Sequence, residues 1–318
     1  MNRLRIVFCG TPQFAVPPLK LLLEEADFEV AAVFTQPDRP RGRGQDMPFS
    51  PVKELALSAN LRVFQPAKIR SAEAEEQIRS LSPDAVVIIA YGQIIPAGLL
   101  AIPRLGWINL HASLLPKYRG AAPINWAIAN GESVTGNTTM LLDAGMDTGD
   151  MLMQQELAIG PQETAPQVAA RLSQVGAGLM AESLRALVGG TVTPRRQDNE
   201  AASLAPMLKR ADGQIDWKRR AQEIHNRMRG FAPWPGAYTD FRGQTCHLLG
   251  RPVPGETSNE APGTLLPLKN ALQVVCGAAT ILELDHVKLE GRKQISAMEF
   301  VRGARLHVGE RFDNPDLH

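Results

Sequence analysis

Cysteine is scarce in this chain of 318 residues: Cys9, Cys246 and Cys276 are odd in number, far apart and never part of a CxxC pair. A disulfide framework and a zinc or other metal site are therefore not expected, and a reducing cytoplasm is the natural compartment. Long apolar runs are missing as well. None approaches the roughly 20 residues of a membrane span, so no membrane partner is expected. The N-terminal MNRLRIVFCG has no signal-peptide core or cleavage pattern and passes from two arginines into a strand-like run. Nor is there an excess of charge, with 34 Lys and Arg against 33 Asp and Glu. Up to Pro206 there are 18 basic and 20 acidic residues, a net of −2; from Met207 onward there are 16 and 13, a net of +3. That asymmetry permits nucleic-acid contact in the C-terminal part without demanding it. The three-glycine GxGxxG turn that admits a dinucleotide pyrophosphate is also absent. Gly10-Thr11-Pro12 supplies one glycine, and Gly42-Arg43-Gly44 neither follows a strand nor opens a helix. NAD and ATP are not expected as cofactors, and no internal repeat is evident.

What is present is a core-forming composition, 44% hydrophobic. In the first half, short β-rich runs alternate with helical patterns. Residues 4–9, 30–35, 62–65, 85–90, 107–111 and 138–142 read as strands; 14–25, 52–59, 72–81 and 166–188 read as helices. The alternation predicts an α/β domain with an open, mostly parallel, Rossmann-like sheet, whose ligand site lies beyond the carboxyl ends of its strands. Residues 190–207 are polar and proline-bearing and read as a linker. Beyond them, five short runs with turn signals (237–241, 245–249, 263–266, 272–276 and 279–284) predict a small β-barrel. The expected division is thus 1–189, a linker at 190–207, and 208–318.

The stretch that carries chemistry is WINLHASLLPKYRG, residues 107–120. Side chains alternate across a strand, so Asn109, His111 and Ser113 share one face, and Ile108, Leu110 and Ala112 the other. A lone histidine there is most simply a satisfied polar group capping the next turn. An amide and an imidazole together at such a strand end point to a site. An Asn N–H holds a developing oxyanion, and an imidazole exchanges protons at neutral pH. The carboxylate to complete the set lies in LLDAGMDTGDM, residues 141–151, which carries Asp143, Asp147 and Asp150. Asp147, between Gly145 and Gly149, is the candidate, against the plainer reading of glycine-flanked acids as turn formers. No Ser or Cys is placed as a nucleophile, and no second histidine lies at metal-ligand spacing. An Asn, His and Asp set without a nucleophile suits direct transfer of an acyl group to an amine.

The two stretches NLHASLLPKYRGAAP and DAGMDTGDM, in this order, resemble the formyltransferases that use 10-formyltetrahydrofolate. FTQPDRPRGRG (34–44), GQIDW (213–217) and FAPWPGAY (231–238) point to the branch that acts on methionyl-initiator tRNA. The resemblance covers nearly the whole chain. It implies a formyltransferase fold with a C-terminal OB-like barrel that binds tRNA, acting as a monomer. It implies Asn109, His111 and Asp147 as the catalytic triplet. Ser113, Leu114, Leu115 and Pro116 would line the folate site, largely through backbone groups. Arg43 would sit in an enlarged loop that meets the tRNA acceptor end. Where the family usually carries a lysine before IDW this chain has Met207, with Lys209 and Arg210 nearby as the tRNA-facing cations. The implied activity is formyl transfer to the α-amine of methionyl-initiator tRNA for translation initiation. The alternatives are a folate-dependent formyltransferase or hydrolase acting on a small amine, such as an amino sugar or glycinamide ribonucleotide, and an RNA-binding protein on an inactive transferase fold.

Overall fold

The structure is a computed structural model that describes residues 3–39, 48–307 and 309–313. The chain divides into two compact units. The first comprises residues up to Pro123, Val134–Ala158 and Ala169–Pro206. Its sheet runs β3-β2-β1-β4-β5-β6-β7, with β1 at Leu4–Gly10, β2 at Phe28–Phe34, β3 at Val63–Phe64, β4 at Ala85–Ile89, β5 at Trp107–His111, β6 at Val134–Leu141 and β7 at Met151–Ala158. The strands from β3 to β5 are parallel, and β6 and β7 are antiparallel to their neighbours. The expectation of a mostly parallel sheet holds. β7 was not read as a strand, because its Gln154-Gln155-Glu156 centre is exposed at the sheet's edge and carries no apolar signal.

Both faces of this sheet are covered, and β1 shows how: Leu4, Ile6 and Phe8 enter one apolar core while Val7 and Cys9 enter the other. The same alternation continues in β4, with Ala85, Val87 and Ile89 on the first side and Val86 and Ile88 on the second. In β5 it puts Ile108 and Leu110 in the first core and Trp107 in the second. The covering helices are α1 (Val16–Glu24), α2 (Pro51–Ser58), α3 (Ala72–Ser80), the short α4 (Ala97–Leu100), and most of α6 (Ala165–Gly189), which follows α5 (Pro123–Ala129). α2 and α3 start where Ser50 and Ser71 accept hydrogen bonds from the Lys53 and Ala74 amides, the capping that stops a helix fraying at its N-terminus.

Residues 190–207, read as a linker, are laced onto the first unit up to Ala205. Arg195 and Met151 exchange backbone hydrogen bonds, both at 2.8 Å. Arg119 N donates to Ser203 O, Ala205 N to Arg119 O and Ala122 N to Ala205 O. The polar composition of this stretch reflects side-chain and backbone pairing rather than freedom.

The second unit contains Met207 onward together with residues 124–133 and 159–168. Those two excursions are held by polar groups: the half-buried Asn125 Nδ2 donates to Gly230 O at 2.8 Å, and the buried Arg229 donates to the carbonyls of Gly160 and Glu163. The unit's sheet runs β10-β11-β12-β9-β8, with β13 on β12 and every pairing antiparallel. These are β8 (Tyr238–Phe241), β9 (Gln244–Thr257), β10 (Leu265–Pro267), β11 (Leu272–Val275), β12 (Thr280–Leu289) and β13 (Ile295–Ser296). Two helices absent from the sequence reading, α7 (Ala221–Gly230) and α8 (Ala297–Ala304), complete it. The expected barrel is corrected in one respect: among the described residues no ladder closes β10 onto β8. The two edges are instead reached by the last segment of chain, through isolated bridges from Arg311 to Thr264 and from Asp313 to Asp240. Between those bridges Phe312 is buried against Trp217, their rings stacked with centroids 5.4 Å apart. Trp217 is fully buried, and its indole N–H donates to Thr239 Oγ1. Truncating Trp217 to alanine removes that stack and the hydrogen bond to Thr239 Oγ1 and leaves a cavity, so it should lower the unfolding free energy by about 3–5 kcal/mol. Urea denaturation of the full chain measures this, and a loss within about 1 kcal/mol would contradict Trp217 as the keystone of the second core.

Candidate active site

β5 lies between β4 and β6, with Asn109 opposite Ile88 on one side and Met140 on the other, and His111 opposite Thr138. Asn109 and His111 continue the face that Trp107 begins. Trp107 is core, and the polar pair follows where the strand runs out toward its carboxyl end. Among the described residues no group holds the half-buried Asn109 carboxamide. Its N–H groups stay available to a ligand.

His111 is 6% exposed, and its two ring nitrogens have different surroundings. Nε2 lies 2.9 Å from the Tyr118 carbonyl oxygen. A carbonyl only accepts, so Nε2 carries a proton and donates it there. Nδ1 is the ring nitrogen left open to a ligand. That atom faces Asp147 Oδ1 at 3.6 Å, too long for a direct hydrogen bond. The other carboxylate oxygen, Oδ2, accepts from Gly120 N at 2.9 Å. The strand end and the KYRG turn therefore build one imidazole–carboxylate pair.

The loop that delivers Asp147 is shaped by its glycines. Asp143 Oδ1 accepts from Gly145 N at 2.9 Å and from Thr148 Oγ1 at 2.8 Å, closing the turn on itself. A Cβ on Gly145 would stand 2.0 Å from Thr148 Oγ1, and one on Gly149 only 1.8 Å from Leu141 O. Asp147 itself is left-handed, φ 54°, at a cost on the order of 1 kcal/mol that the surrounding bonds must offset. Of the three aspartates, Asp143 closes the turn and Asp150 is exposed; Asp147 alone faces His111.

Two patterns of known families fit the chain: formyl transferase over residues 4–184, and the formyl transferase C-terminal domain over 207–305. The chain belongs to the formyl transferase family. It is 51% identical to a methionyl-tRNA formyltransferase of Solibacter usitatus over 315 residues, 99% of this chain and all of that one. It is 49% identical to one from Geobacter sulfurreducens over 312 residues, 98% and 97% of the two chains. Among solved structures it shares its fold, at 19% identity and a TM-score of 0.68, with the sugar 3N-formyl transferase WlaRD, solved in the presence of dTDP and 5-N-formyl-THF; 92% of this chain and 100% of that one are covered.

The other residues singled out from the sequence are placed as follows in this formyl transferase. Ser113 lies beyond the end of β5, fully buried, with its hydroxyl donating to Lys117 O at 2.6 Å, where it closes the turn. The Ser113 and Leu115 backbone is largely engaged within the protein. Ser113 O accepts from Thr138 Oγ1, Leu115 N donates to that same oxygen, and Leu115 O accepts from Gln154 Nε2. Leu115 is buried beside Met140 and Met151, whereas Leu114 and Pro116 are half-buried and keep exposed surface. Arg43 lies outside the described residues. The stems of its loop are anchored, Asp38 by Lys53 and Gln65, and Ser50 Oγ by Thr35 Oγ1 at 3.0 Å. Burial raises the Asp38 pKa, but the Lys53 and Gln65 hydrogen bonds and the Lys53 charge outweigh it and hold the carboxyl below its usual value.

In the second unit Lys209 and Arg210 are exposed, as is Met207. The Arg210 guanidinium stands 5.8 Å over the Tyr238 ring, and Tyr238, His247 and Lys288 form a cross-strand row over β8, β9 and β12. Burial, then Lys288 and Arg210, hold the His247 imidazole below its usual pKa. Sequence reasoning missed this row because its members come from three strands. It also missed Gln197, whose Nε2 reaches the carbonyls of Asp147 and Gly149 across about 50 residues of chain, a link with no local signature. Gly149→Ala should force the loop away from Leu141 and break the His111–Asp147 approach. Formylation turnover should then fall on the order of a hundredfold, and turnover of the variant near the parent's would show that the Gly149 contact does not set the site.

Proposed function

We propose that the chain transfers the formyl group of 10-formyltetrahydrofolate to the α-amine of methionyl-initiator tRNA, in the cytoplasm, at a site formed by Asn109, His111 and Asp147. The observation that carries this reading is the pairing of an unheld carboxamide with an imidazole whose only free nitrogen faces a carboxylate at 3.6 Å. Near-complete matches to methionyl-tRNA formyltransferases at about half identity support the choice of substrate. The cationic, aromatic row of the second unit offers a backbone phosphate and a base both a charge and a ring face, which suits a tRNA. Solved small-amine relatives share the fold only.

In this reading the amine nitrogen bonds to the formyl carbon, the bond from that carbon to folate N10 breaks, the amine loses a proton and N10 gains one. The Asn109 N–H stabilises the negative charge that builds on the formyl oxygen, a task at which a pre-aimed donor outperforms water because it needs no reorganisation. His111 adds Nδ1–H when protonated, with Asp147 Oδ1 beside it at 3.6 Å. In the same reading Asp147, through a water, relays a proton toward N10. Leu114 and Pro116 are the members of the 113–116 segment with surface for the folate. Residues 208–318, with Lys209, Arg210 and the Tyr238–His247–Lys288 row, take the tRNA. Residues 1–189 carry catalysis, and Arg43 meets the acceptor end.

Asn109→Ala should lower kcat on the order of a hundred- to a thousandfold with tRNA affinity nearly unchanged, because one oxyanion donor is lost. Single-turnover formylation of charged initiator tRNA, run beside small amines, measures it, and near-parent turnover would refute the assignment. Arg43→Ala should weaken discrimination between initiator and elongator tRNAs while folate affinity holds. A drop in folate affinity with unchanged tRNA choice would overturn the role of that loop.

A further inference from the structure

The arginine of the KYRG turn looks away from the His111–Asp147 pair. Arg119 is 7% exposed; its Nε donates to Gln197 Oε1 and its Nη2 to Asn199 Oδ1, both at 2.9 Å. Among the described residues no carboxylate pairs with it. Gln197, 5% exposed, uses both hydrogens of its Nε2, one on the Asp147 carbonyl at 2.9 Å and one on the Gly149 carbonyl at 2.8 Å. An amide whose oxygen receives a charge-assisted hydrogen bond is polarised, and its own N–H groups become stronger donors. The two carbonyls flank Thr148, so one side chain grips the backbone on both sides of the tight turn. Asp147 sits in that turn with φ 54°, its Oδ2 on Gly120 N. Gly120 is itself needed, since a Cβ there would stand 2.7 Å from Ala205 O. Segment 195–205 thus reaches the Asp147 loop at two places, Arg195 on Met151 and Gln197 on Asp147 and Gly149, and the KYRG turn at a third, Ala205 against Gly120.

We propose that Gln197, polarised by the buried Arg119 guanidinium, is a positioning residue for formyl transfer: it holds the left-handed Asp147 turn so that the carboxylate faces His111. This rests on the assignment of Asp147 and His111 to the transfer step. The segment that joins the two halves of the chain is then also the clamp of the catalytic loop.

The test is formylation kinetics of the full chain in four variants: Gln197→Ala, Gln197→Glu, Asp147→Asn, and Asp147→Asn combined with Gln197→Ala. In Gln197→Ala, kcat should fall on the order of ten- to a hundredfold, with KM for both substrates close to the parent's, as expected for a misaimed group. Its kcat–pH profile should also shift, because the imidazole–carboxylate geometry has changed; a merely structural residue would leave that profile in place. Gln197→Glu keeps a partner for Arg119 but turns oxygen toward both carbonyls, so it should lose at least as much, and it carries the comparison if the alanine variant does not fold. The combined variant should be within about twofold of Asp147→Asn alone, since a residue acting only through Asp147 has nothing further to remove. Equal losses from the Gln197 change in both backgrounds, or parent-like kcat and pH profile in Gln197→Ala and Gln197→Glu, overturn the clamp while leaving Asp147 in place. Full turnover in Asp147→Asn removes the assignment of Asp147 and the clamp with it.

Discussion

A single hydrogen bond, from His111 Nε2 to the Tyr118 carbonyl, organises the site. It fixes which ring nitrogen keeps its proton and turns the other one toward Asp147. Everything around it serves to hold the two ends of that geometry. Thr138 on β6 grips the turn that carries the chain from His111 toward Tyr118, through Ser113 O and Leu115 N. Ser113 then closes the turn from within by donating to Lys117 O. Without these, the acceptor carbonyl would not stand over the ring, and the free nitrogen would have no defined direction.

The opposite side of the pair is a loop in strained conformation, and its stabilisation is divided among parts distant in sequence. Asp143 and Thr148 close the turn, the absence of a Cβ leaves room for Thr148 at Gly145 and for the Leu141 carbonyl at Gly149, and Gly120 N holds the carboxylate. The buried, carboxylate-free Arg119 is unusual, because a desolvated guanidinium normally demands an anion. Its partners among the described side chains are two neutral amides, Gln197 and Asn199. A carboxylate in place of Gln197 would neutralise Arg119 yet repel the two backbone carbonyls, which explains why an amide suits this position.

The α/β architecture was legible because burial on both faces writes itself into apolar runs such as AVVIIA and LRIVFC, and serines mark the starts of α2 and α3. β7 was not legible, since an edge strand with one exposed face has a polar centre. The barrel reading of the C-terminal part found its strands but not its helices. It also could not show that, among the described residues, the sheet's two edges are reached by isolated bridges from Arg311 and Asp313, because that pairing depends on how distant parts of the chain pack. Asn109, His111 and Asp147 stood out because chemistry of this kind leaves polar residues at strand ends and between glycines. Gln197 had no such mark, and its polar neighbourhood read as a linker.

By itself the sequence determined the strand periodicity, and with it that Asn109 and His111 share a face at the end of β5. It also determined the glycine positions that permit the Asp147 turn. Both follow from local backbone geometry, in which neighbouring residues constrain one another regardless of the rest of the fold. Only the tertiary structure decided which imidazole nitrogen is free, which of three aspartates faces it, and that Gln197 bridges Arg119 to the carbonyls of the loop. Those are distances between atoms many residues apart, and they exist only once packing has closed the intervening chain.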